Sequence, residues 1–181
     1  MPSLPVPDGL SRDGVALRRL RARDAGPFAQ AFRDDPGLGV LIGAEEDPTE
    51  HGVRRFIARQ PGLRARGEFL GLAVTDETRK PFLGHVMLHT FAWRHKRAEI
   101  GYWLVPNARN KHVGRTAVAL LVEWAFDALD LERIEITLLP DNGPALALAT
   151  ALGFTPEGTM IARNLERGRR VDVMLLARLR A

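Results

Sequence analysis

Residues 107–116 read NARNKHVGRT and crowd Arg109, Lys111, His112 and Arg115 around Gly114, just ahead of an apolar helical pattern. The first amides of a helix have no partner within it and point outward, so a helix start is a natural anion site. Glycine there lets the backbone approach a phosphate closely, and arginine and lysine add charge-assisted hydrogen bonds. Asn110, Val113 and Thr116 belong to the same stretch. The stretch also reads as a solvated helix start, its cations at the end of the helix dipole that favours anions. The nucleoside-triphosphate pattern G-x-x-x-x-G-K-[ST] is absent.

The strand pattern AEIGYWL upstream places Glu99, Gly101 and Trp103 on one face and Ile100, Tyr102 and Leu104 on the other. Glu99 thus interrupts an apolar run beside an aromatic residue. A carboxylate partly withdrawn from water is harder to ionise and becomes a candidate proton acceptor. As an edge or surface group it would instead pair with Arg97 or another arginine. In LPDNGPA, Asn142 caps a helix, and its amide is placed to meet a ligand running between strand and helix.

The histidines offer less. His85 and His89 share a strand face but stand about 13 Å apart at the usual rise, too far for one metal. His51 and His95 read as exposed. The acidic run EEDP at 45–48 suits either a cationic substrate or a solvated loop. No Ser-His-Asp spacing is present. None of the 181 residues is cysteine, which excludes disulfides, thiolate metal sites and a cysteine nucleophile.

The frame that must position these groups is a mixed one. VALRRL (15–20) reads as a strand, and RDAGPFAQAFRDD as a helix capped by Asp24. DPTEHGVRRFIARQ gives a second helix ending before Pro61. Strands over 69–76, 81–91 and 97–106 are joined by short polar connections, as in an antiparallel meander. The loop's own helix follows, then a strand over 133–139 and a helix that Gly153 ends. A final hairpin turns at ERGRR. The order β-α-α-β-β-β-α-β-α-β-β predicts an α/β fold of α+β type, with a mixed, mostly antiparallel sheet and about four helices. A single domain spans 1–181, with residues 1–12 as a loose lead-in.

Composition agrees: 45% hydrophobic and 27% charged residues suit a soluble globular chain. No apolar run approaches the roughly 20 residues that cross a bilayer. The start, MPSLPVPDGL, lacks a signal-peptide layout. The expectation is a cytoplasmic protein with no membrane partner. A net charge of +4, with 22 acidic residues interspersed, argues against nucleic acid.

Taken together, these segments resemble the GCN5-related N-acetyltransferase superfamily, and its RimJ/RimL-like branch in particular. AEIGYWLVPNARNKHVGRTAVALLVEWAF is similar to that family's central strand, pyrophosphate loop and helix. RIEITLLPDNGPALALATALGFTPEGTM and the late VDVMLLARL complete the likeness, which covers nearly the whole chain. It implies acetyl-CoA, or another acyl-CoA, as co-substrate, and no metal. In the family's Arg/Gln-x-x-Gly-x-Gly/Ala loop, Arg109 and Gly114 match, and His112 stands at the first glycine. Pantetheine would lie along Trp103, Leu104 and Val105, with Asn142 facing the same arm. Glu99 matches an acidic position that serves some relatives as general base. Positions where relatives carry a tyrosine or serine acid hold Ala149 and Ala145. Tyr102, the only tyrosine, faces away from Glu99, leaving water or no dedicated acid.

The function so implied is acyl transfer to a primary amine by direct attack in a ternary complex. The acceptor would be a protein N-terminus, ribosomal or other, or a small amine. Roughly a fifth of an α-amine is neutral near pH 7.4, against about a thousandth of a lysine amine, so an α-amine asks less of a base. The first two helices and the 163–170 hairpin, with Arg163, Arg167, Arg169 and Arg170, would floor the acceptor site. The resemblance also allows a homodimer. The rival reading is a coenzyme-A-binding sensor or structural homologue without turnover.

Overall fold

The structure is a computed structural model and describes residues 2–7, 9–35, 37–38, 48–166 and 168–181. Glu45, Glu46 and Asp47 of the acidic run, and Arg167, lie outside the described residues. Among the described residues, eight strands form one sheet. They are β1 (Ser11–Arg12), β2 (Val15–Arg19), β3 (Leu70–Asp76), β4 (Gly84–Ala92), β5 (Arg97–Leu104), β6 (Arg133–Leu138), β7 (Thr155–Glu166) and β8 (Arg169–Leu179). Their spatial order is β1-β2-β3-β4-β5-β6-β8-β7. Every neighbouring pair is antiparallel except β5 and β6. The expected mixed sheet is therefore present, with one strand more than expected. The extra strand, β1, turns into β2 through Asp13 and Gly14, both at positive φ (50° and 78°). That is the turn an Asp-Gly pair is suited to make, and the dipeptide was there to be read.

Among the described residues, the helices that cover the two faces are α1 (Ala25–Asp34), α2 (Glu50–Ala65), α3 (Val113–Ala128) and α4 (Gly143–Ala151). One core joins the sheet to α3 and α4 through Val86, Leu88, Ile100, Leu121 and Ile134. The other joins it to α1 and α2 through Phe28, Phe32, Val53 and Trp103. Alternation along β5 divides its side chains accordingly: Ile100 and Leu104 enter the first core and Trp103 the second. At the start of β4, Gly84 comes so near β5 that a Cβ there would stand 2.3 Å from the Trp103 carbonyl oxygen.

Two expectations about helix ends fail. The second helix does not stop before Pro61 but runs through it to Ala65. Proline removes one backbone bond there, yet the exposed ring meets solvent, and one tertiary bond and the helix's own closing bond hold the last turn. Leu4 N–H donates to Arg64 C=O at 2.9 Å, and Arg66 N–H to Gly62 C=O at 3.2 Å. With Leu4 3% exposed, the lead-in is tied down at this point. Asp24, expected to cap α1, precedes it but makes no side-chain cap. Its carboxylate turns back to accept from the Arg21 amide (2.7 Å) and from both terminal nitrogens of Arg18 (2.7 and 2.8 Å). A buried guanidinium needs a charged partner more than a helix needs a cap.

Candidate active site

The parallel pairing of β5 with β6 has only three rungs: Arg97 with Arg133, Ala98 with Ile134 and Glu99 with Glu135. Beyond Glu99 the strands part. Val105 N–H, just past β5, donates to Leu83 on the β4 side at 3.0 Å. Alternation therefore turns the backbone groups of Leu104 and Tyr102 toward the gap. The gap opens into a cavity of about 830 Å³ that reaches the start of α3 and the tip of the β7–β8 hairpin.

At one end lies the basic loop. After a turn over Pro106–Ala108, Asn110 and His112 take left-handed backbone angles (φ 58° and 53°) before α3 begins. A glycine adopts that angle freely, which accounts for the family preference at the position of His112. Histidine is among the side chains that enter this region more readily than most. Its ring swings out of the site, with Nε2 donating to the Asp13 carbonyl at 3.2 Å. Thr116 N–H closes the first helical bond onto His112 C=O at 3.0 Å. Among the described residues, the amides of Gly114 and Arg115 have no acceptor, the geometry by which a helix start can take an anion. Gly114 has a packing reason as well: a Cβ would press at 3.3 Å on Leu104, Tyr102 and Leu148.

Arg109 points inward. Nε and Nη2 donate to the Leu104 carbonyl at 3.1 and 3.0 Å, and Nη2 reaches Asp35 at 2.6 Å. At the other wall, Asn142 accepts from the Ala145 amide at 3.2 Å through Oδ1 and so caps α4, leaving its side-chain amide free beside the cavity. The cap and the ligand-facing amide are compatible.

Deeper in, Glu99 does not pair with arginine. Arg97 takes Glu135 instead (2.6 Å), and Glu99 accepts a hydrogen bond from the Thr137 hydroxyl on β6. Tyr102 lines the same cavity from the opposite sheet face, and burial pushes its phenol up to about 12, so it stays protonated.

Of the residues picked from the sequence, the wall includes Glu99, Trp103, Leu104, the loop from Arg109 to His112, Gly114, Arg115 and Asn142. Trp103 contributes little side chain, since its indole meets Phe28 and Phe32 edge-on at 4.6 and 5.2 Å. Val105, Val113 and Thr116 are not brought to the wall; Val113 and Thr116 are buried beneath the loop. From the hairpin, Arg163 lines the cavity, whereas Arg169 and Arg170 are exposed outside it.

His89 was missed. It lines the cavity opposite Glu99 in the β4–β5 register, a pairing that sequence spacing within one strand does not reveal. His85 is wholly buried among Phe28, Phe56 and Trp103, and burial pushes its imidazole down to about 3. Among the described residues, no three of His, Cys, Asp or Glu converge as metal ligands.

Known proteins match this architecture. The L-amino acid N-acetyltransferase AaaT of Escherichia coli is 26% identical over 171 residues, covering 92% of this chain and 98% of its own. The ribosomal-protein-S5-alanine acetyltransferase of Vibrio fischeri shares the fold with a TM-score of 0.79 at 21% identity, over 93% of this chain and 94% of that one. The microcin C7 self-immunity acetyltransferase MccE, solved with acetyl-CoA and AMP, does so with a TM-score of 0.84 at 20% identity, again over 93% and 94%. The model of the acetyltransferase (GNAT) domain matches residues 15–155, and the chain belongs to that family.

Proposed function

We propose that the chain transfers an acetyl group from acetyl-CoA to a primary amine, by direct attack within a ternary complex. The parting of β5 from β6 after three rungs, open at one end onto the free amides of α3, carries this reading. Pantetheine runs in the gap against the backbone that β5 turns away from β4, and the pyrophosphate meets the Gly114 and Arg115 amides. The Asn142 amide faces the same arm. The acceptor enters from the side of Glu99 and the β7–β8 hairpin, with Glu99 as the carboxylate that receives it.

The amine displaces the thiolate of coenzyme A, so the chain needs no nucleophile of its own. An α-amine suits the site because roughly a fifth of it is already neutral near pH 7.4, far more than of a lysine amine. The activities for which AaaT and the ribosomal-protein-alanine enzyme are named point to the same acceptor class. Absence of cysteine fits a cytoplasmic setting. The edge strand β7 carries Ile161 and Leu165 at 76% and 59% exposure, which supports a homodimer testable by sedimentation.

Thiol release from acetyl-CoA over a panel of L-amino acids, polyamines and alanine-initiated peptides tests the activity. Release with at least one amine is expected. Tight coenzyme A binding with no release over the whole panel would favour the sensor instead.

A further inference from the structure

Three adjacent strands set polar side chains on the sheet face opposite α3: His89 on β4, Glu99 on β5 and Thr137 on β6, all lining the cavity. His89 and Glu99 are direct partners in the antiparallel ladder, which sets their Cβ atoms about 5 Å apart. Thr137 anchors Glu99 from the other side through its hydroxyl. Among the described residues no hydrogen bond joins His89 to Glu99, and both side chains line the cavity.

The backbone beside His89 is unusual. The ladder slips between His89 and Ala92, and Thr90 sits at φ 51°. A β-branched residue is strained in the left-handed region, so the surroundings impose this bulge. Bulges re-aim the side chains beside them. Here Thr90 places Oγ1 2.8 Å from His89 Nδ1, and the ring lies over Gly101, where Nε2 would be in ordinary contact, 3.5 Å, with a Cβ. Thr90 is exposed, so its hydroxyl proton can go to water while its oxygen accepts from Nδ1–H. The lone pair then sits on Nε2.

We propose that His89 Nε2 takes the proton from the acceptor's ammonium group, which is held between His89 and the Thr137-anchored carboxylate of Glu99. The inference rests on the acetyl-transfer reading and divides its acid–base work. An N–H bond of R–NH3+ breaks, the proton forms imidazolium, and the freed amine attacks the thioester carbonyl. As the C–N bond forms and the C–S bond breaks, the second proton leaves nitrogen for the departing thiolate, and imidazolium returns its proton to water. Burial, the larger influence, lowers the His89 pKa and Glu99 opposes it; the net shift is downward, so the ring is neutral and able to accept near pH 7. The other acidic and basic side chains of the wall are Arg109, Lys111, His112, Arg115, Arg163 and Glu166, while Glu135 on β6 is held by both Arg97 and Arg133.

The test uses the full chain, acetyl-CoA, and L-phenylalanine, spermidine and an alanine-initiated peptide as acceptors. In nitrogen-15 imidazole spectra at pH 7, the resonances lost in His89→Gln should show a protonated Nδ1 and a bare Nε2. Glu99→Gln should lower that ring's pKa further, and Thr90→Val should move the proton to Nε2. The acidic limb of kcat/KM should follow the ring's titration. It should vanish in His89→Gln and His89→Asn, with a loss on the order of 100-fold at pH 7 and unchanged melting. A protonated Nε2 in the parent protein, or a limb kept by both folded variants during active acetylation, overturns the assignment of His89. Turnover of none of the three amines overturns the transfer reading, and this proposal with it.

Discussion

Arg109 reaches back five residues to hold the Leu104 carbonyl with two nitrogens, at 3.1 and 3.0 Å, while the same guanidinium grips Asp35 at 2.6 Å. The basic loop is thereby fastened both to the strand it leaves and to the chain after α1. Removing this fork should slacken the loop over the helix start. Arg109→Ala is expected to weaken coenzyme A binding roughly 10- to 100-fold by calorimetry, the scale of charge-assisted hydrogen bonds lost. Arg109→Lys should recover little, because an ammonium cannot reproduce the planar fork. Unchanged affinity in Arg109→Ala would remove this loop from the cofactor site.

His112 tests whether the anion site is built from backbone or side chain. Its backbone holds a glycine-like angle and its ring is turned toward Asp13. His112→Gly should therefore bind coenzyme A as tightly as the parent or tighter, with stability changed by no more than about 1 kcal/mol. A tenfold loss of affinity would instead make the imidazole a ligand.

His85 should make stability depend on pH above the carboxylate range. Folded, it stays neutral down to about 3; unfolded, it protonates near 6.5. Below 6.5 the unfolded chain therefore binds a proton that the native state refuses, and stability falls by about 1.4 kcal/mol per pH unit. His89, also lowered, acts in the same direction. The carboxylates held low by ion pairs, such as Glu123 and Glu157, lose their contribution only as pH falls below about 4.5. Urea denaturation between pH 4.5 and 6.5 should show the slope, and His85→Phe should reduce it. A flat profile in the parent would contradict this account.

Arg18 and Asp24 are 4% and 2% exposed, and each is the other's main charge partner. Asp24→Ala leaves a guanidinium buried beside carbonyl groups alone and should cost about 3–5 kcal/mol. Arg18→Met with Asp24→Leu should recover much of that loss. If the double variant is no more stable than Asp24→Ala, packing rather than charge explains the pair.

Much of the site was legible because its cues are local. The glycine and cations before α3, the Asn142 cap and the strand alternation around Glu99 all depend on near neighbours in sequence. What escaped depends on register and tertiary bonds. That His89 faces Glu99 follows from how β4 pairs with β5, and a slip of one residue would have pointed it elsewhere. That α2 survives Pro61 depends on Leu4, far away in the chain. The recruitment of Asp24 by Arg18 likewise set a buried charge against a local propensity. The Asp13–Gly14 turn is different: its signal was local and was passed over.

The three-rung union of β5 and β6 also gives neighbouring amides different clocks. Val105 N–H is bonded to Leu83 across the sheet, whereas those of Tyr102 and Leu104 face the gap. In the free protein, deuterium should therefore replace hydrogen quickly at 102 and 104 and slowly at 105. Saturating acetyl-CoA should slow the first two and leave the third nearly unchanged. The rhythm of exchange along a single strand would then report, amide by amide, how far the cofactor has settled into the cleft.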